Sequence, residues 1–296
     1  MSTVDVRDHS MVVADGRVVA WTECGPVDGV PVLRMPGTPG CRWTLRADRS
    51  PWTERSLRVI TTERPGFGAS SRLAGRGFSE HASDVAKILD HLDVARVWVY
   101  GASGAAPHIL AFAALYPQRV RAVTVLAGAA PVSDVEAKAE TMIPVNVRGR
   151  QLARARDVEG LRALLEPIRS AMLDDPLAGF RALMAEAPQA DQNVMSDPQW
   201  QEAFSLATRE ALSCGVDGWI DETLAVCGDW NDVDLDRVSP SVTWWHTASD
   251  RNAPLSAAER LVARLPNGTL HVWPEGGHLT AYHREPQVLD EMLARG

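Results

Sequence analysis

Three side chains in this 296-residue sequence have the types that nucleophilic catalysis needs, and each sits in a turn. Ser103 stands at the apex of Gly101-Ala102-Ser103-Gly104-Ala105, Asp250 ends Thr247-Ala248-Ser249-Asp250, and His278 ends Pro274-Glu275-Gly276-Gly277-His278. A serine hydroxyl is a poor nucleophile until a neighbouring base takes its proton. Neutral imidazole is such a base, and a carboxylate on its other ring nitrogen fixes the tautomer and stabilises the imidazolium. The three types therefore read as nucleophile, orienting acid and base. Each also has an ordinary structural reading: Ser103 as a helix cap, Asp250 as a turn aspartate ahead of Asn252-Ala253-Pro254, and His278 as one turn histidine among eight.

The elements that must position these turns follow from periodicity. Residues 96–100 are a short apolar run rich in β-branched and aromatic side chains, a buried strand, and 105–116 read as an Ala- and Leu-rich buried helix. Turning from one to the other so quickly forces Ser103 into a strained backbone and demands small residues two before and two after. Gly101 and Ala105 meet that demand, and the serine oxygen then stands clear of the sheet edge beside the positive end of a helix.

Upstream, 10–14 and 17–22 flank Asp15-Gly16 as a hairpin. Strands over 31–35 and 57–61 end at Pro36-Gly37-Thr38-Pro39-Gly40 and Glu63-Arg64-Pro65-Gly66-Phe67-Gly68. Val85, Ile88, Leu89 and Leu92 share one face of a helix over 79–92, and another strand covers 122–126. From 131 to about 236 only helical spacing appears, as in Val158, Leu161, Leu165, Ile168 and Met172. Strands return at 241–246 and 269–273, with helices over 255–265 and 286–294. This alternation implies an α/β fold: a mostly parallel twisted sheet with helices on both faces. Ligands of such sheets bind beyond the carboxyl ends of the strands, where Ser103, Asp250 and His278 all fall. The expected organisation is a core over 1–130, a helical lid insertion over 131–236, and the rest of the core over 237–296.

Composition narrows the class. Hydrophobic residues make up 45 % and charged residues 23 %, as in a soluble globular protein. A net charge of −8 argues against nucleic acid or an anionic membrane as partner. The first residues lack an apolar run of signal-peptide length, and no stretch approaches transmembrane length. The four cysteines (Cys24, Cys41, Cys214 and Cys227) are far apart without Cys-x-x-Cys spacing and read as reduced thiols of a cytoplasmic protein. No His-Glu-x-x-His, EF-hand or Walker pattern occurs, so neither metal nor cofactor is expected.

In order and spacing these motifs resemble the α/β-hydrolase-fold serine hydrolases, in the lid-bearing branch that holds many esterases, lactonases and prolyl aminopeptidases. The resemblance covers nearly all of the chain outside 131–236. It rests on the Ser103 turn, Pro36-Gly37-Thr38-Pro39-Gly40, Glu63-Arg64-Pro65-Gly66-Phe67-Gly68, Ser249-Asp250 and Gly276-Gly277-His278-Leu279. Two positions depart from the family pattern: Pro36 stands where histidine usually precedes the loop glycine, and Ala105 where glycine is commoner. The resemblance implies Ser103 as nucleophile, His278 as base, Asp250 as acid, and the backbone N–H groups of Thr38 and Gly104 as the oxyanion hole. Some members carry the acid after the sixth strand. Here 127–130 holds no carboxylate, and Asp134 is the distant alternative.

The expected partner is a small-molecule substrate with a hydrophobic acyl or alcohol group, an ester or lactone cleaved through an acyl-enzyme. Amide or N-terminal proline hydrolysis, carbon–carbon bond hydrolysis and perhydrolysis use the same triad, and a small-ligand receptor is the non-catalytic alternative. Relatives that open epoxides or displace halide carry aspartate at the nucleophile position, where this chain has Ser103. Glu202, Glu210 and Glu222 read as a solvated helix face of the insertion, with capture of a substrate amine as the sharper alternative. Trp244 and Trp245, adjacent on one strand, must point to opposite faces.

Overall fold

The strands β1 (Val6–Val12), β2 (Val18–Cys24), β3 (Val30–Met35), β4 (Leu57–Thr62), β5 (Val97–Ala102), β6 (Val120–Leu126), β7 (Ser241–Thr247) and β8 (Gly268–Trp273) join in one sheet. The computed structural model describes residues 6–135 and 142–295, so the first residues and the start of the expected insertion lie partly outside it. The spatial order is β1-β2-β4-β3-β5-β6-β7-β8. β1 and β2 pair antiparallel, as do β2 and β4, and all later pairs are parallel. Because β4 and β5 flank β3 on opposite sides, the order reverses there, which opens a crevice beyond the carboxyl ends of β3 and β5. The loops carrying Thr38 and Ser103 leave those two neighbouring strands, where Met35, the last residue of β3, pairs with Gly101, one residue before the end of β5.

The helices α1 (Ser50–Thr53), α2 (Ser79–His91), α3 (Ala106–Leu115), α11 (Leu255–Val262) and α12 (Ala281–Leu293) flank the sheet. Val85, Leu89, Ile109, Phe112 and Leu261 pack with Leu33, Val99, Val123 and Val125 on one face. Trp52, Val288, Leu289 and Met292 pack with Val32, Val59, Leu126 and Trp245 on the other. Truncating one of these side chains to alanine costs about 2–5 kcal/mol. Trp244 and Trp245 belong to opposite faces, as strand alternation requires, and neither lines the cavity described below.

Between β6 and β7 the described residues form helices α4 (Val132–Val135), α5 (Pro144–Arg154), α6 (Val158–Asp174), α7 (Pro176–Leu183), α8 (Gln189–Met195), α9 (Pro198–Leu212) and α10 (Asp217–Val226), with no strand among them. Local chemistry sets their starts. Asp175 and Asp197 each precede a proline and accept from backbone N–H groups of the first turn, as Asp157 does for α6.

Several boundaries differ from the sequence expectation, and two of them have a cause in the hydrogen bonding. β1 ends at Val12 because the hairpin closes through Val13 N–H to Arg17 O at 2.9 Å, which leaves Val13 and Ala14 in the turn. The final helix begins at Ala281, with Pro286 inside it. Proline cannot donate to the carbonyl four residues back, and that carbonyl, on Tyr282, accepts instead from Arg46 Nη1 at 2.6 Å.

Candidate active site

Ser103 follows β5 directly and opens a short 3₁₀ turn, Ser103–Ala105, that leads into α3. Its φ is +57°, the left-handed region that costs a non-glycine residue roughly 1–2 kcal/mol. The crowding predicted from the sequence is present. A Cβ on Gly101 would lie 2.3 Å from Met35 O and 3.0 Å from the Ala105 Cβ. The Ser103 carbonyl accepts from Ala129 N–H at 3.0 Å, which ties the turn to the segment after β6.

Asp250 leaves β7 and His278 leaves β8, and Asp250 Oδ2 lies 2.8 Å from His278 Nδ1. The other oxygen, Oδ1, accepts from Asn252 N–H at 2.7 Å and Ala253 N–H at 2.9 Å. Asp250 therefore closes its own turn with one oxygen and meets His278 with the other. The Asp250 side chain is fully enclosed and that of His278 is 11 % exposed. Burial by itself favours neutral imidazole, but the Asp250 charge and hydrogen bond, with Asp191 behind them, outweigh it and raise the His278 pKa. Burial works against the Asp250 charge as well, and His278 beside it more than compensates, so the carboxyl titrates below its ordinary value. Asp134 is directed elsewhere, paired with Arg264 at 3.2 Å.

Ser103, His278, Thr38 and Gly104 all line one cavity of about 380 Å³, whose other walls are largely apolar side chains such as Met142, Leu165, Met172, Phe180 and Trp200. At Gly104 a Cβ would come within 2.2 Å of Thr38 Oγ1 and 3.4 Å of Thr38 N, so only glycine lets the two backbones approach this closely.

The loop bearing Thr38 is held from behind by a buried polar network. Arg64 donates from Nη1 to Pro36 O at 2.5 Å and from Nη2 to Gly37 O at 2.6 Å. Pro36 has no side-chain polar group of its own, and this guanidinium fork fixes the loop. Glu222 pairs with Arg64 at 3.2 Å and Arg76 at 2.5 Å, and accepts from Thr38 Oγ1 at 3.0 Å. It is fully buried, which corrects the expectation of a solvated face for this residue. Its helix α10 turns that side chain inward because two cations and the Thr38 hydroxyl wait there. Burial opposes the Glu222 charge, yet the Arg64 and Arg76 charges, with a hydrogen bond from His108, hold its carboxyl well below the usual range. His108, 3.1 Å from Glu222, is driven by burial to a pKa of about 4 and is neutral. Glu210 pairs with Arg42 at 2.8 Å, and Glu202 is exposed as expected.

The carboxylate behind the His278 turn escaped sequence reasoning. Asp191, on α8, is fully buried and accepts from the backbone N–H groups of His278 at 3.0 Å and Leu279 at 2.7 Å. A Cβ on Gly277 would lie 2.4 Å from its Oδ1, so the second glycine of the turn makes room for this carboxylate. No local spacing distinguishes Asp191 from its polar neighbours, and its partners lie 87 and 88 residues away.

Among the described residues, no group of three or more His, Cys, Asp or Glu side chains could hold a metal ion, and no helix is long and apolar enough to cross a membrane. A family model described as "alpha/beta hydrolase fold" matches residues 42–284. A putative non-heme chloroperoxidase from Synechocystis sp. is 27 % identical over 243 residues, covering 78 % of each chain. A 2-hydroxy-6-oxo-2,4-heptadienoate hydrolase from Pseudomonas putida is 27 % identical over 282 residues, covering 94 % of this chain and 92 % of that one. Among solved structures, an epoxide hydrolase from Vigna radiata superposes over the full length of both chains with a TM-score of 0.73 at 15 % identity, a likeness of fold.

Proposed function

The chain belongs to the α/β-hydrolase-fold family, and we propose that within it the protein is a serine hydrolase that cleaves a small carboxylic ester or lactone through an acyl-enzyme. The observation that carries this reading is the 2.8 Å pairing of His278 with Asp250 on the wall of a cavity that Ser103 also lines. Ser103 Oγ attacks the carbonyl carbon while its proton passes to His278 Nε2. The oxyanion that forms is held by the N–H groups of Thr38 and Gly104, each worth about 10²–10³ in rate. The bond to the alcohol breaks as His278 returns the proton to the leaving oxygen; in a lactone that oxygen stays tethered. Water then gives a proton to His278, attacks the acyl carbon and releases the acid, and Ser103 recovers its proton. Asp250 stabilises the imidazolium in both halves.

The apolar cavity walls favour a hydrophobic acyl or alcohol part, and helices α5–α10 act as the lid over it. Glu222 is a poor amine trap because Arg64 and Arg76 already match its charge. A panel of aryl esters, lactones and aminoacyl arylamides, run on wild type and Ser103→Ala, tests the proposal. Turnover of an ester or lactone that vanishes in the variant supports it, and turnover of arylamides alone moves the reaction to amides. The Pseudomonas putida relative favours one second reading, hydrolysis of a 2-hydroxy-6-oxodienoate on the same residues. A substrate of that type in the panel decides between the two.

A further inference from the structure

We infer that Arg150 binds a carboxylate carried by the substrate, so that the ester or lactone cleaved here also bears a free acid group. This assignment rests on the serine-hydrolase reading for the reaction it serves, though not for the binding itself. Six arginines are buried among the described residues: Arg42, Arg46, Arg58, Arg64, Arg76 and Arg150. The first five each reach a carboxylate at 3.2 Å or less. Arg150, 8 % exposed, reaches none among those residues. Its Nη2 makes one long contact with Ala130 O at 3.5 Å, and its Nη1 has no partner. A guanidinium does not escape burial by losing its proton, and an isolated buried charge is strongly unfavourable. Among the described residues that counter-charge is missing, and this is the feature that calls for a ligand.

The position of Arg150 suits that ligand. Its helix α5 lines the cavity with Asn146 one turn earlier, and Arg150 lines it too. Ala130, which the guanidinium touches, follows Ala129, whose N–H bonds the Ser103 carbonyl. Arg150 therefore stands at the same end of the sheet as Ser103. The fixed charges of the cavity wall point the same way: Arg34, Arg46 and Arg150 face it against the single carboxylate Glu285, which Arg46 already holds at 2.9 Å. A cationic cavity in a chain of net charge −8 is a local choice of sign, not a consequence of composition. A carboxylate matches the planar guanidinium fork and supplies one negative charge to the one buried arginine that reaches no carboxylate among the described residues, while the apolar walls take the rest of the molecule.

The test compares matched esters that differ by a carboxylate. On the acyl side these are p-nitrophenyl valerate and mono-p-nitrophenyl glutarate; on the alcohol side, phenyl acetate and 3-acetoxybenzoate. In the wild type, kcat/KM for the anionic member of at least one pair should exceed its neutral partner by about 10- to 100-fold. Arg150→Met should bring that ratio close to one, and Arg150→Lys should restore part of it; a purely structural role for Arg150 would lower both members of a pair alike. If Arg150→Met does not fold, Arg150→Lys and the wild-type ratio carry the comparison. No wild-type preference for either anion, or a preference that survives in the variant, overturns the inference. Failure of the underlying reading looks different: no ester turns over and a fluorophosphonate leaves Ser103 unmodified. Calorimetric binding of monomethyl glutarate and of benzoate then decides on Arg150 alone. A tenfold or greater weakening in Arg150→Met supports the inference, and equal or absent binding overturns it.

Discussion

Asp250 divides its carboxylate between two tasks, with Oδ1 closing its own turn on Asn252 and Ala253 and Oδ2 holding His278 at 2.8 Å. The turn fixes the carboxylate before the histidine reaches it, so the imidazole meets a preset acceptor. Helix α11 and strand β8 separate the two residues in the chain, yet both emerge at one end of the sheet because β7 and β8 are parallel neighbours.

Asp250→Asn should keep the fold while lowering kcat by about 10³–10⁴-fold, since an amide can offer the ring a donor and favour the wrong tautomer. Asp134→Asn should leave kcat within a few-fold of wild type, because its partner is Arg264. Both are assayed side by side with melting temperatures. A folded, inactive Asp134→Asn beside an active Asp250→Asn would reassign the acid.

In the proposed reaction the base must be neutral to accept the Ser103 proton, and His278 holds its proton more tightly than an ordinary histidine. Activity should therefore rise with pH through a midpoint above the ordinary ~6.5. The stability contribution runs the other way: it is complete below the unfolded-state pKa and fades as pH rises through the folded one. A kcat/KM profile from pH 5 to 9 checks the activity limb, and a midpoint below 6 would contradict the assignment.

Asp191 contributes negative charge as well as two hydrogen bonds to the His278 turn. The charges facing His278 are Asp250 and Asp191, with His246 3.5 Å from the shared Asp250 oxygen. Asp191→Asn keeps an acceptor and removes the charge, so the acid limb of the profile should move to lower pH while kcat falls. An unshifted limb would leave Asp191 with a packing role only.

Glu222→Gln strips the counter-charge from two buried guanidinium groups, Arg64 and Arg76. Removing one partner of a buried pair costs about 3–5 kcal/mol, and denaturant unfolding should register a loss of that order. Activity per folded molecule should drop too, because the amide keeps an acceptor for the Thr38 hydroxyl but removes the counter-charge of Arg64, whose fork holds the loop that bears Thr38. A change under 1 kcal/mol would mean that the amide oxygen serves the two guanidinium groups as well as the carboxylate does.

What could be read from the sequence is what local chemistry dictates. The strands β3 to β7 are legible because burial on both faces makes them apolar runs, and the Ser103 turn because its small flanking residues follow from crowding at Met35 and Ala105. Pro286 misled in a definable way: proline favours a helix start, but Arg46 takes over the orphaned Tyr282 carbonyl and lets the helix begin earlier. Asp191 and the burial of Glu222 were illegible because the partners are distant in the chain, Glu222 meeting Thr38 across 184 residues. Arg150 was illegible for the opposite reason, since a charge stands out by lacking a partner only once the partners of the others are known.

Covalent modification of Ser103 tests the central claim most directly. Wild-type protein treated with a fluorophosphonate should gain one adduct, located to Ser103 by peptide mass spectrometry, with ester turnover lost in step with labelling. Ser103→Ala should take up no adduct and turn over no ester while melting near the wild-type temperature. A stable adduct on a different serine with Ser103 intact, or undiminished turnover by folded Ser103→Ala, would contradict the account.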